Sequence, residues 1–413
     1  MLFYVIIGLV VVSFLAEATL EYLNATRRSP GLPEELKGIY DENKYRKSIE
    51  YERVKHRFSL VRGAFGLAVI LAMLILGGFA FLDEFARRFS DSMIAITLIF
   101  FGILMIGSDI LNMPFDWYGT FVIEEKFGFN KATPRIFITD KLKGWMLTAI
   151  LGGGLLALIT WFYYVTTDWF WIYALAVITV FMVFMNLFYS TLIVPLFNRQ
   201  TPLEDNELRE QIASLSNRTG FRLDDVFVID GSRRSTKANA YFSGLGRKKR
   251  IVLFDTLLEE MPAGNILAVL AHEIGHYKKR HVLTNMTISL ATAAITLYIL
   301  SRLVANPALS DALGAGQPSF HIGLVAFGIL YAPVSALFGI ANNRISRKHE
   351  FEADRFAAKH QPAGDLADAL KRLSVRNLSN LRPHPAYVVV HYSHPPLLQR
   401  LDALNRVESG AGQ

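Results

Sequence analysis

Two histidines four residues apart, with a glutamate directly after the first, stand in the stretch ILAVLAHEIGHYKKRH at 266–281 as His272, Glu273 and His276. Residues four apart share one face of a helix. Both imidazoles can therefore hold one zinc ion, while Glu273 can reach a water molecule beside it. The chemistry this pattern supports is hydrolysis. Zinc in such a site acidifies water to a pKa of about 7 and polarises a peptide carbonyl, and the glutamate takes the proton and hands it to the leaving amine. Attack is direct, without an acyl-enzyme, and neither a serine nor a cysteine nucleophile motif competes. An ordinary buried helix whose histidines cap carbonyls would share the spacing, so the rest of the chain has to supply a third ligand.

Zinc enzymes of this kind use three protein ligands and keep a fourth position open. In SRKHEFEADRFAAKH at 346–360, Glu350 and Asp354 are four apart on a polar helix and can enter one site from the same face. The spacing makes Glu350 the third ligand and Asp354 the acid that orients a ligand imidazole. Glu352 is the rival ligand, and a solvated face paired with Lys348 and Arg355 also fits the pattern. Near the C-terminus, His391 and His394 flank Tyr392 and Ser393 before two prolines. A tight turn there could present His394 to a developing oxyanion, although the spacing alone favours a plain turn before the last helix. His281 ends a KKRH run and reads as a cation at a helix C-terminus or a headgroup contact. His56, His321, His349 and His360 have no partner pattern.

These residues must be positioned by a very apolar chain: 52% of the 413 residues are hydrophobic and 19% charged, which indicates a polytopic membrane protein. Crossing a bilayer takes about 20 helical residues. Seven segments qualify: Leu2 to Leu20, Ala64 to Leu82, Met93 to Asn112, Trp145 to Tyr164, Trp169 to Phe188, Val282 to Leu303 and Phe320 to Ile340. The first lacks the basic start and small-residue cleavage site of a signal peptide, so it is read as a retained helix. Without cysteine there is no disulfide, no thiol nucleophile and no thiolate metal ligand. The net charge of +7 sits mainly in loops beside apolar segments, where topology and anionic lipid explain it better than nucleic acid.

Lysine and arginine alternate from loop to loop. The first, third and fifth loops are basic and the others are not, which predicts an N-terminus outside and the zinc motif and C-terminus on the cytoplasmic side. An even number of spans, two, separates His281 from Arg344, so Glu350 returns to the side of His272; an odd number would have excluded it. Glu17 and Asp109 fall inside expected spans, facing either a wet interior or an interface. No internal repeat is evident, which weighs against a transporter of inverted halves.

The long fifth loop has the pattern of a small catalytic domain. TPLEDNELREQIASLSNRTG predicts a helix opened by Thr201 and Pro202 and closed by Gly220. Short β-type runs follow at Asp224 to Asp230, Ala238 to Gly244 and Arg250 to Asp255, the last two joined by LGRKK as a hairpin. The resulting expectation is a mainly α membrane protein with a small zincin-like α+β catalytic part. Its divisions are 1–196 for the first five helices, 197–281 for the catalytic domain, 282–341 for two further spans, and 342–413 for the part carrying the third ligand.

The stretches FVIEEKFGFN, PLFNRQTPLED, KANAYFSG, LAVLAHEIGH, EFEAD and HYSHPPLLQRL together resemble the CAAX prenyl protease 1 family, over nearly the whole length. The resemblance implies an integral-membrane zinc endopeptidase, one Zn2+ per chain, that removes the C-terminal tripeptide of prenylated proteins. It implies that Glu350 rather than Glu352 binds zinc and that Asp354 is a proton donor or supporting acid. It also implies that His394 binds the substrate carbonyl and that Asn239, Ala240, Tyr241 and Phe242 form an edge strand along which substrate lies, consistent with strand addition. Family members resemble a ring of seven helices around a water-filled chamber, which would accommodate Glu17 and Asp109. The sixth loop, 305–319, is brief, so the resemblance is to a bacterial homologue in an inner membrane rather than to an endoplasmic-reticulum enzyme. The expected partners are a peptide or protein substrate, prenylated or membrane-associated, and lipid. A heat-shock quality-control protease would have about four spans and no HYSHPP; a transporter or scaffold with a vestigial site is the reading from another class.

Overall fold

The structure, a computed structural model, describes residues 1–28, 31–38, 40–204, 206–221, 225–243 and 250–409. Six of its helical stretches are long and apolar enough to cross a bilayer: Leu2–Thr26, Glu42–Ile75, Met93–Phe127, Pro134–Phe197, His281–Leu303 and Phe320–His360. Two of the seven expected segments fall within the 64-residue stretch Pro134–Phe197. That stretch is not one rod. At Thr167 the backbone turns to φ 45° and ψ −105°, and the helices Gly153–Thr166 and Phe170–Phe188 fold back on each other, with Phe162 stacked on Tyr173 at 5.0 Å.

Two expected boundaries are corrected. The segment ending at Leu82 breaks at Gly77, whose φ of 69° suits a residue without Cβ, and Gly78–Arg87 forms a separate helix. The basic first loop is largely helical: Glu42–Ile75 starts at Asp41, whose carboxylate caps the Asn43 amide, and buries Tyr45, Ser48 and Tyr51 on one face. Buried side chains at three-residue spacing give that charged segment one inward face, with the Ser48 hydroxyl satisfied by the Tyr45 carbonyl.

The catalytic part holds a four-stranded sheet ordered β1-β2-β4-β3, with β1 at Gln200–Pro202, β2 at Asp225–Ile229, β3 at Ala240–Ser243 and β4 at Arg250–Phe254. β2 and β4 run parallel, and the outer strands pair antiparallel. β3 and β4 pair as the two arms of the expected hairpin; its LGRKK turn, Gly244 and Asp224 lie outside the described residues. The expected helix start at Thr201 is wrong. Gln200–Pro202 is an edge strand, where a proline is tolerated, and the helix begins at Glu207, after Asn206 accepts a hydrogen bond from the Arg209 amide.

Against the sheet packs the motif helix Ala263–Lys278, whose Ile266, Leu270 and Ile274 join Leu215, Leu253, Leu257 and Leu366 in one core. The second partner of the motif helix is Phe320–His360. Its 41 residues span about 60 Å at 1.5 Å per residue, so an apolar membrane segment continues without a break into the polar EFEAD turn. The two helices touch at Gly275, where an added Cβ would lie 3.1 Å from the Ala353 Cα. This close approach carries Glu350 to the histidines.

Candidate metal and catalytic site

His272 and His276 project from one face of the motif helix with their Nε2 atoms 3.1 Å apart. The Glu350 carboxylate lies 3.5 Å from His272 Nε2 and 3.3 Å from His276 Nε2. Ligand atoms about 2.0–2.1 Å from a shared tetrahedral centre stand about 3.3 Å from one another, so the three donors have the spacing of a zinc site. Glu350 Oε2 is moreover buried without a hydrogen-bond partner among the described residues, the condition of an acceptor arranged for a cation. Together these residues could hold one metal ion.

Each imidazole is fixed from behind. His272 Nδ1 lies 2.8 Å from Asp354 Oδ1, and Asp354 in turn accepts two hydrogen bonds from Arg400, at 2.9 and 2.6 Å. Arg400 also reaches Glu350 at 3.4 Å. Burial disfavours the charged form of His272, but the carboxylates of Asp354 and then Glu350 facing its ring outweigh that and, with no metal bound, push its pKa up to about 9. On the other side, His276 Nδ1 meets His281 Nδ1 at 3.0 Å, and His281 Nε2 meets Glu352 at 3.0 Å. His281 is also stacked on His349, with ring centroids 3.9 Å apart. With His281 neutral, the arrangement that frees His276 Nε2 for a metal has His276 Nδ1–H donating to His281 and His281 Nε2–H donating to Glu352.

Glu352 therefore faces His281 rather than the pocket between the histidines. The surface role expected for His281 is also corrected: it is 2% exposed and opens the next helix rather than closing the motif helix. Arg280, at φ 60°, supplies the bend that turns His281 back toward His276. Helical spacing missed His281 because that bend separates it from the face it completes. Arg400 was missed as well, though a cation following Leu397 and Leu398 in the first turn of Leu397–Glu408 was a usable signal.

Glu273, Asn239, Ala240 and His394 line one cavity of about 470 Å³ with the two histidines and Glu350. His394 Nε2 lies 3.3 Å from Glu350 Oε1, and its Nδ1 is 2.9 Å from the Ser393 hydroxyl. β3 is an edge strand of the sheet, Ala240 at its cavity end; Tyr241 instead packs against Val194, Ile229 and Val252, and Phe242 pairs in register with Ile251. Away from this centre, Glu17 contacts His391 at 3.4 Å, and Asp109 accepts from Lys141 at 2.7 Å and from the Trp145 indole at 2.9 Å.

Comparison with known proteins agrees with this architecture. Residues 21–199 match a family described as CAAX prenyl protease N-terminal, five membrane helices, and residues 202–408 match peptidase family M48. The chain is 35% identical to CAAX prenyl protease 1 of Saccharomyces cerevisiae, covering 98% of this chain and 95% of the yeast protein. It is 36% identical to the CAAX prenyl protease 1 homolog of Arabidopsis thaliana, covering 97% and 96%. The crystal structure of S. mikatae Ste24p superposes with a TM-score of 0.92 at 34% identity, covering 98% of this chain and 99% of that one. The chain belongs to peptidase family M48, among the membrane zinc metalloendopeptidases of the CAAX prenyl protease 1 type.

Proposed function

We propose that this enzyme binds one Zn2+ through His272, His276 and Glu350 and cleaves prenylated CAAX-type proteins or other membrane-presented peptides near their C-termini. The observation that carries the reading is the convergence of those three donors beside Glu273, in a cavity bordered by an edge strand. A zinc ion held there supplies the charge that polarises the peptide carbonyl and acidifies water. Glu273 takes the proton of the attacking water and passes it to the leaving amine. His394 donates to the carbonyl oxygen as it gains charge. Asp354, held by Arg400, keeps His272 in the tautomer that presents Nε2, and substrate lies extended along Asn239 to Phe242 by strand addition.

The chain crosses the membrane seven times in this reading, since Pro134–Phe197 folds as a hairpin, with the N-terminus outside and the site on the cytoplasmic side. A largely apolar cavity of about 620 Å³ lies beside the ion pairs Asp109–Lys141 and Asp140–Arg234.

The test uses purified full-length protein, a farnesylated CAAX peptide and its unmodified twin. Stoichiometric zinc, cleavage abolished by Glu273→Gln, and preference for the farnesylated peptide are expected. Absence of zinc, or undiminished cleavage by Glu273→Gln, overturns the site assignment; equal rates for the two peptides overturn lipid-dependent recognition.

A further inference from the structure

A second cavity lies next to the pocket that holds Glu273. Ala238, just before β3, lines both this pocket and the second cavity, of about 430 Å³. The helix Ala363–Arg376 runs beside both, with Leu373 lining the first, and Arg372 and Arg376 the second. Asn377, whose Oδ1 is buried and accepts no hydrogen bond among the described residues, lines the first cavity, and the residue after it lines the second. The next residue, Leu378, is a buried leucine held at φ 48°, a left-handed conformation a leucine adopts only when its surroundings impose it.

The second cavity has an apolar floor, including Phe127, Phe129 and Leu378, and a basic rim. Arg376 is engaged by Glu260 and by the Thr236 carbonyl, and Arg372 by Asp368 at 2.7 Å. Lys44 and Lys47 form no ion pair among the described residues, so the rim keeps an excess of positive charge.

We propose that this cavity binds the C-terminal end of the peptide being cleaved, its free α-carboxylate on Lys44 and Lys47 and its last apolar side chain on the floor. The proposal rests on the protease reading and deepens it. A peptide paired antiparallel to β3, the pairing with the better hydrogen-bond geometry, runs with its C-terminal side toward the start of that strand, which is where the basic cavity lies. A parallel peptide would carry its carboxylate the other way. On the way, the Asn377 Oδ1 accepts a backbone N–H of the segment that leaves as product.

The experiment compares three peptides of one sequence on the full-length enzyme: the free acid, the C-terminal amide, and a version extended by two residues. Direct binding of acid and amide to the Glu273→Gln protein is measured by calorimetry in parallel. The amide and the extended peptide are expected to show KM raised about tenfold with kcat little changed, and the amide to bind Glu273→Gln about tenfold more weakly. The double variant Lys44→Gln/Lys47→Gln should raise KM for the acid by a similar factor and leave the amide unchanged. Equal KM and equal binding for acid and amide overturn the proposal, as does a double variant that weakens both alike. If no peptide is cleaved, the protease reading fails; the subsite then stands or falls on the calorimetry alone.

Discussion

The two imidazoles of the motif helix are held by partners of different kind, and this difference can be measured. His272 is backed directly by the buried ion pair of Asp354 and Arg400, whereas His276 is backed by the His281 imidazole, which relays it to the Glu352 carboxylate. Loss of a group behind a metal-bound histidine typically weakens metal binding 10–100-fold. His281→Ala should therefore lower zinc affinity within that range while the protein stays folded, read by competition with a chelator. Glu352→Ala should keep zinc at one per chain with a similar but smaller weakening, and Glu350→Ala should lose it; the reverse order would make Glu352 the ligand. Arg400→Met removes the buried guanidinium that pairs with Asp354 and leaves His272 as its remaining charged partner, and should destabilise the fold by about 3 kcal/mol. Thermal unfolding of the metal-free protein measures this, and adding Asp354→Asn should recover part of the loss, since the two side chains act as one unit.

At the scale of elements, the site depends on how closely two helices approach. The glycine of HEIGH touches the backbone of the EFEAD turn, so a side chain there must push Glu350 away from the histidines. Gly275→Val should abolish stoichiometric zinc in protein that still extracts and purifies, while Gly275→Ala, facing a 3.1 Å contact, should weaken it less. Normal zinc content in Gly275→Val would show that the helices can separate without harm. The sequence made the residues of this contact visible but not the contact itself. HExxH and ExxxD announce their own faces by the helical repeat, and two intervening spans allow them to meet; that a glycine was needed between them is a property of packing. The same limit hid His281, which completes the face from beyond a left-handed turn at Arg280, and Arg400, which comes from a helix with no metal ligand of its own. β1 was misread for a local reason: Thr-Pro opens helices and also ends edge strands, and only the pairing of Gln200 with Ile229 decides between them.

For the whole molecule, the alternation of basic loops and the fold-back at Thr167 make one joint statement about topology. A stretch of 64 helical residues would span about 96 Å if straight, about three times the hydrocarbon thickness of a bilayer, so Pro134–Phe197 has to turn within or beyond the membrane. If it crosses twice, Asp168 is on the outside with Gly316, while Arg199 and Ser409 are on the side of the zinc site. The chain contains no cysteine, so single substitutions report location without any background thiol. All four positions are exposed. Asp168→Cys and Gly316→Cys should react with an impermeant maleimide added to sealed cells, and Arg199→Cys and Ser409→Cys only after the membrane is opened. Labelling of Asp168→Cys from the same side as Arg199→Cys would remove one pair of crossings. Labelling of all four positions in the opposite sense would invert the orientation and place the active centre outside the cytoplasm, where prenylated cytosolic proteins could not reach it.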